Sequence, residues 1–206
     1  LEYDNTLAWC SAEGALTRGL GTCDSYQRAY AKLLTAAGIQ NERIEDYGDN
    51  HTWNAVKLDG EWYQVDCTWD DTLEHWYDFD QQYMYFGLTD ELMAIADLYT
   101  TSGYQTRSTS LANNYLVRNG DAARWAETYR ARIQEKLNAR ETTFTISADN
   151  SSYPPSYSGI LNGIIAYAIN QIDWSYGNLD VNLQATGSAT QFTFQVSYAE
   201  EHTEHR

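Results

Sequence analysis

Little in this chain carries positive charge. Lys and Arg total 13 against 29 Asp and Glu, leaving a net charge of −16 over 206 residues. Such a field repels polyanions, which argues against nucleic acid or an anionic membrane surface as a partner. Long apolar runs are missing as well: none approaches the roughly 18 residues of a membrane-spanning helix. Cysteines number only three, and they form neither a CxxC pair nor a His/Cys cluster at zinc spacing. No metal or cofactor is expected, because His51 and His75 stand apart and His202 and His205 fall in the polar tail EEHTEHR. The stretch EDYGDN gathers three acids, but it lacks the EF-hand loop pattern and reads as a solvated turn. The chain begins at Leu1 with no methionine and no signal peptide, so a targeting segment is expected to lie outside it.

What the chain does have is apolar and aromatic substance. It is 43% hydrophobic, with 17 Tyr and 7 Trp, enough to bury a core in one ordinary domain or in a core with an appendage. A surface rich in Tyr, Trp, Ser, Thr and Asn fits a protein that is secreted or displayed on a cell surface.

The residues that suggest chemistry lie between Gly19 and Asp71. Gly19, Gly21 and Thr22 precede Cys23, and Tyr26, Ala29, Tyr30, Leu33, Leu34 and Ala37 follow at three- and four-residue steps. That periodicity predicts an amphipathic helix with Thr22 as N-cap and Gly38 just past its end. Cys23 then sits in the first turn, where unpaired N–H groups and the helix dipole favour the thiolate. Asp24 opposes it by charge. Next come HTWNAVKL and EWYQVDC, two strand-like runs joined by Asp59-Gly60, the dipeptide of a tight type I′ turn. A two-residue loop sets Leu58 opposite Glu61, Val56 opposite Tyr63 and Trp53 opposite Asp66. Period-two alternation places His51, Trp53, Ala55 and Asp66 on one face, with His51 and Asp66 as diagonal neighbours. A thiol, a base and a group to hold the base are the three parts of a cysteine nucleophile.

These three segments, GLGTCDSYQRAYAKLL, HTWNAVKL and EWYQVDCTWDD, together resemble the core of the transglutaminase-like superfamily. Its bacterial members and the kyphoscoliosis-type peptidases show a Gly-x-Cys, a His-Ala-Trp-Asn-like segment and a Trp-Tyr-x-x-Asp-x-Thr-Trp segment in this order. The resemblance covers about the first 100 residues. It implies an α+β, papain-like arrangement, N-terminal helices packed on an antiparallel sheet, with Cys23 as nucleophile, His51 as base and Asp66 as its orienter. Thr52 stands where alanine is usual and Cys67 where proline is common; neither belongs to the triad. The implied activity is thiol acyl transfer on protein or peptide amides through a thioester, as a cysteine peptidase, a protein deamidase or a transglutaminase, without a cofactor. Trp53 and Trp69 are expected to wall the substrate cleft. The Cys23 N–H is expected to serve the oxyanion, with a second donor from the region of Trp9 to Arg18. With Cys23 free, Cys10 and Cys67 are either a disulfide pair or two free thiols; the sequence leaves both open. A rival reading is a non-catalytic surface module that keeps the fold and binds protein or glycan through its aromatic face.

The domain organisation follows from where the resemblance fades. Residues 1–100 read as the catalytic core, 101–140 as a polar linker and an amphipathic helix, and 141–206 as a small β-α-β-β module. In the core, Ser11 to Leu16 reads as helical, Tyr83, Tyr85 and Phe86 as a strand, and LTDELMAIA as a short helix capped by Thr89. The later helix, DAARWAETYRARIQEKLNAR, is expected to start at an Asp121 N-cap and to bury Ala122, Trp125, Ala126, Tyr129, Ile133 and Leu137. Asn150-Ser-Ser matches a glycosylation sequon.

Overall fold

The structure is a computed structural model that describes residues 2–3, 11–46, 48, 50–72, 75–76, 79–97, 106–151 and 153–200. Trp9, Cys10, Asp49, His202 and His205 lie outside them. The fold is α+β, and the chain divides into two compact units, Leu1–Arg118 and Asn119–Arg206.

In the first unit, strand β1 (Glu2–Tyr3) pairs in parallel with β2 (Leu20–Gly21). Between them Ala12–Arg18 is helical and closes as a π turn over Gly14–Arg18, two residues further than the sequence reading placed it. Helix α1 (Cys23–Ala36) follows. Its N-cap is Thr22, whose N–H donates to Ser25 Oγ at 3.1 Å. It ends in a Schellman turn: Gly38, at φ 75°, donates to Thr35, and Ile39 donates back to Leu34.

The sheet runs β3 (Asn41–Asp46), β4 (His51–Leu58), β5 (Glu61–Val65) and, further along the chain, β8 (Phe86–Leu88), all antiparallel. The β4–β5 register sets Leu58 opposite Glu61, Val56 opposite Tyr63 and Asn54 opposite Val65, as a two-residue loop requires. The ladder stops there, so the expected Trp53–Asp66 pair is not formed and Asp66 turns out of the strand to cap the next helix. Asp59 and Gly60 both have positive φ, 51° and 83°, the signature of the type I′ turn. On one face Val56 and Val65 pack with Leu34 of α1, flanked by Tyr30, Ile39 and Cys67. The other face, with Trp53 at 1% exposure, Ala55 and Gln64, is also buried, so the sheet is a middle layer.

After β5 come a one-turn helix α2 (Cys67–Asp70), a short hairpin of β6 (His75–Trp76) and β7 (Phe79–Asp80), then β8 and helix α3 (Asp90–Asp97). Thr89 caps α3, accepting the Leu92 N–H on its hydroxyl. Of the three residues expected as a strand, only Phe86 is in one; Tyr83 and Tyr85 are not. Gln81–Tyr83 forms a 3₁₀ turn, because Gln81 and Met84 are buried at an i, i+3 spacing. Residues 106–114 are bound into the first unit rather than loose: Asn114 donates to the Phe86 and Gly87 carbonyls, and Asp90 N–H donates to Ser108 O. Helix α4 (Tyr115–Arg118) closes the unit.

In the second unit the expected single helix is two, α5 (Asp121–Glu127) and α6 (Arg130–Asn138). They part at Thr128, whose hydroxyl donates back to the Trp125 carbonyl at 2.7 Å. The N-cap is Gly120, with Asp121 the first helical residue. All six residues expected on the inner face are buried. Strand β9 (Thr143–Ser147), helix α7 (Ser158–Asn170) and strands β10 (Leu179–Gly187) and β11 (Gln191–Glu200) make an antiparallel sheet ordered β10-β11-β9. Helix α7 lies so close to β10 that a Cβ at Gly187 would meet the Asn162 carbonyl at 2.2 Å; only glycine fits there. No described helix is long and apolar enough to cross a membrane.

Candidate active site

Three elements deliver one side chain each. Helix α1 presents Cys23 at its first position, β4 presents His51 at its start, and Asp66 follows β5 as the N-cap of α2. The fold brings all three together. His51 Nε2 lies 2.5 Å from Asp66 Oδ2, and His51 is near enough to the Cys23 thiol to favour its ionisation. An imidazole has two nitrogens. Since Nε2 is taken by Asp66, Nδ1 is the nitrogen open to the thiol.

Asp66 is fully buried and spends both oxygens. Oδ2 takes the imidazole, and Oδ1 accepts the Trp69 N–H at 3.1 Å, which caps α2. One carboxylate therefore fixes both the histidine ring and the helix beside it. That helix returns the favour through Trp69, whose ring stacks on His51 with centroids 4.6 Å apart and planes 13° apart. Tyr85 meets Trp69 edge-on at 5.2 Å. Further ties hold α2 in place: Asp70 Oδ1 accepts the Tyr85 N–H at 2.7 Å, and Tyr26 of α1 donates its hydroxyl to Asp71 at 2.5 Å.

The two tryptophans expected along the cleft part ways. Trp69 lies against the imidazole. Trp53 also approaches His51, at 5.5 Å, but from inside the core. Its indole N–H donates to Gln64 Oε1 at 2.6 Å, and the Gln64 amide donates to Asp90 at 2.8 Å. Buried to 1% exposure, Trp53 backs the histidine and offers no face to a substrate.

The electrostatics favour an ion pair. The hydrogen bond from His51 holds the Cys23 thiol below its ordinary value, and it outweighs the opposing effect of burial. Burial alone would lower the His51 imidazole, but its bonds to Asp66 and Cys23 overcome that and push it up to about 10. A thiolate beside an imidazolium is the reactive form of a cysteine. Cys67, one residue past Asp66, is the opposite case: it is free, and burial pushes its thiol up to about 12. Its possible partner Cys10 is not among the described residues. Among those residues, no group of three His, Cys, Asp or Glu is arranged to hold a metal.

Sequence reasoning missed the supporting groups. Gln64 and Asp90 lie 26 residues apart, and Tyr26 and Asp71 lie 45 apart. Only α2 gave a local signal, since an aspartate three residues before Trp69 has the spacing of an N-cap bond.

A family model described as the transglutaminase-like superfamily core matches residues 2–67. The matched segment runs from β1 to the first residue of α2 and contains Cys23, His51 and Asp66, so the likeness seen in the three sequence segments holds for this stretch. No curated protein matches the chain.

Proposed function

We propose that this protein is a thiol-dependent acyl-transfer enzyme acting on protein or peptide amides, with hydrolysis favoured over cross-linking. The observation that carries this reading is the His51 ring, bonded through Nε2 to a buried Asp66 and close enough to Cys23 to favour the ionised thiol. In the reaction, the Cys23 thiolate attacks the amide carbonyl carbon, and the C=O electron pair moves to oxygen. The Cys23 backbone N–H at the start of α1 serves that oxyanion. His51, protonated, gives its Nδ1 proton to the departing amine or ammonia, leaving a thioester. Neutral His51 then takes a proton from water as it attacks the thioester, and the acid and the thiolate are released. Asp66 keeps the imidazole in one orientation and stabilises its charged form throughout.

The pH window follows from the two shifts. Reactivity is lost on the acid side as the Cys23 thiolate takes up its proton, below the thiol's ordinary value. It is lost on the alkaline side as His51 loses its proton at about 10.

A screen with peptide amides, read by mass spectrometry after acid quench, tests the proposal. An acyl adduct on the Cys23 peptide is expected, absent in Cys23→Ala and depleted in His51→Ala. Added primary amine then separates cross-linking from hydrolysis. Failure to acylate with any donor, together with an ordinary alkylation profile at Cys23, leaves the protein- or glycan-binding module as the better reading.

A further inference from the structure

Asp24 is the misfit of the site. Asp24 follows Cys23 in the chain: its backbone N–H lowers the thiol, whereas its carboxylate, left unpaired so near in sequence, would favour the thiol over the thiolate. The structure shows what becomes of it. Asp24 Oδ2 pairs with Arg28 Nε at 2.7 Å, one turn along α1, and Oδ1 pairs with Arg43 Nη2 at 2.5 Å. Burial alone would raise the Asp24 carboxyl, but the two guanidinium groups hold it below the usual carboxylate range. It therefore stays ionised, and stays paired, wherever Cys23 would work.

Arg43 does more than Arg28. It sits on β3 opposite Asn54 of β4, so it belongs to the sheet that carries His51, whereas Asp24 belongs to the helix that carries Cys23. Its fork spans the gap: Nη2 reaches Asp24, and Nη1 reaches Gln27 Oε1 at 2.5 Å, one turn further along α1. Nε is held by Glu45 at 2.5 Å, which fixes the guanidinium plane from its own strand. A third bond crosses in the same place, from the Asn54 amide to the Gln27 carbonyl at 3.4 Å. Around the thiol the ionisable groups are thus His51, with Asp66 behind it. Around Asp24 they are Arg28 and Arg43, with Glu45 on Arg43. The Asp24, Arg28, Arg43 and Glu45 set sums to zero charge. Arg43 and Asp24, at 32% and 24% side-chain exposure, are less open to screening than Arg28 at 56%.

We propose that Arg43 is a positioning residue for the thiol: it cancels the Asp24 charge beside Cys23 and ties the first two turns of α1 to the sheet that carries His51. Asp24 earns its place as the anchor for that tie and as an acid in a helix's first turn, where the dipole favours it. The proposal rests on the acyl-transfer reading, because only an ionised Cys23 feels the cancellation.

The test is the rate of iodoacetamide alkylation against pH, read on the Cys23-containing peptide so that Cys10 and Cys67 do not contribute. Wild type, Arg43→Gln, Asp24→Asn and the Asp24→Asn/Arg43→Gln double variant are compared, each shown to be folded by its thermal transition. Uncovering one carboxylate beside the thiol is expected to raise the alkylation midpoint of Arg43→Gln by about half a unit to one unit. The rise shrinks in 1 M salt and reverts in the double variant, where no charge is left to uncover. Arg43→Lys, which keeps the charge and loses the fork, falls between. An unmoved midpoint in Arg43→Gln overturns the proposal, and so does a shift that the double variant retains. Either result leaves the acyl-transfer reading standing if the wild-type midpoint lies well below an ordinary thiol's. A wild-type midpoint at the ordinary value of roughly 8.5 removes the acyl-transfer reading itself.

Discussion

The two units bury different things. Among the described residues, twelve of the fourteen buried polar or charged side chains lie in the first unit, including Gln27, Thr52, Asn54, Gln64, Asp66 and Asp90. The second unit buries only Ser158 and Asn162 of that kind and fills its interior with Trp125, Tyr129, Ile133, Leu161, Ile164, Phe192 and Phe194. Its aromatics meet in ordinary packing geometry, Phe144 stacked on Phe194 and Tyr129 edge-on to Phe192, each pair at 4.7 Å. A buried polar group costs free energy unless every bond it needs is made. The first unit accepts that cost where the bonds run toward His51, as in the chain from Asp90 through Gln64 and Trp53. Among the described residues, departure from an apolar core is therefore concentrated in the unit that holds Cys23, His51 and Asp66, and the second unit departs from it at Ser158 and Asn162 alone.

This contrast makes its sharpest claim at Asp66. Asp66→Asn keeps an acceptor for the Trp69 N–H but removes the charge behind His51. Turnover is expected to fall about 10²–10⁴-fold with little change in the thermal transition. The alkaline limb should also move down from about 10 toward the unperturbed imidazole value, since the charge that raised it is gone. A large loss of stability with an unmoved limb would mean that Asp66 is chiefly the cap of α2. The next effect belongs to the second unit. Phe192, with no exposed surface, is expected to cost about 3–5 kcal/mol when cut to alanine, seen in chemical denaturation. The alkylation profile of Cys23 should be unchanged under native conditions; a shifted profile would break the division of labour. The smallest effect is Trp69→Ala. Losing a stacked ring is worth about 0.5–1.5 kcal/mol, so a two- to tenfold drop in turnover is expected. No drop would make Trp69 a core residue of α2 alone.

Much of this was legible in the sequence, and the particular residues show why. Asp59-Gly60 sets a turn, the turn sets a register down to Asn54 and Val65, and His51 and Asp66 meet just beyond its end; the turn and register are local. The inner face of α5 and α6 was legible from its period, though the break at Thr128 was not, because a single hydroxyl bonding back to Trp125 decides it. Tyr83 was misplaced because the aromatic run YMYF alternates like a strand, while the burial of Gln81 and Met84 is what bends the chain into a turn.

By itself, then, the sequence determined helix α1, the inner face of α5 and α6 and the pairing within the hairpin, because helix period, caps and a two-residue turn act over a few residues. Only the tertiary structure decided how those elements meet. It set the thiol of α1 against His51, gave Nε2 to Asp66, turned Trp53 inward and laid Trp69 on the imidazole. It also brought Arg43 to Asp24 across 19 residues. Those contacts join residues far apart in the chain, and no local rule fixes the distance between them.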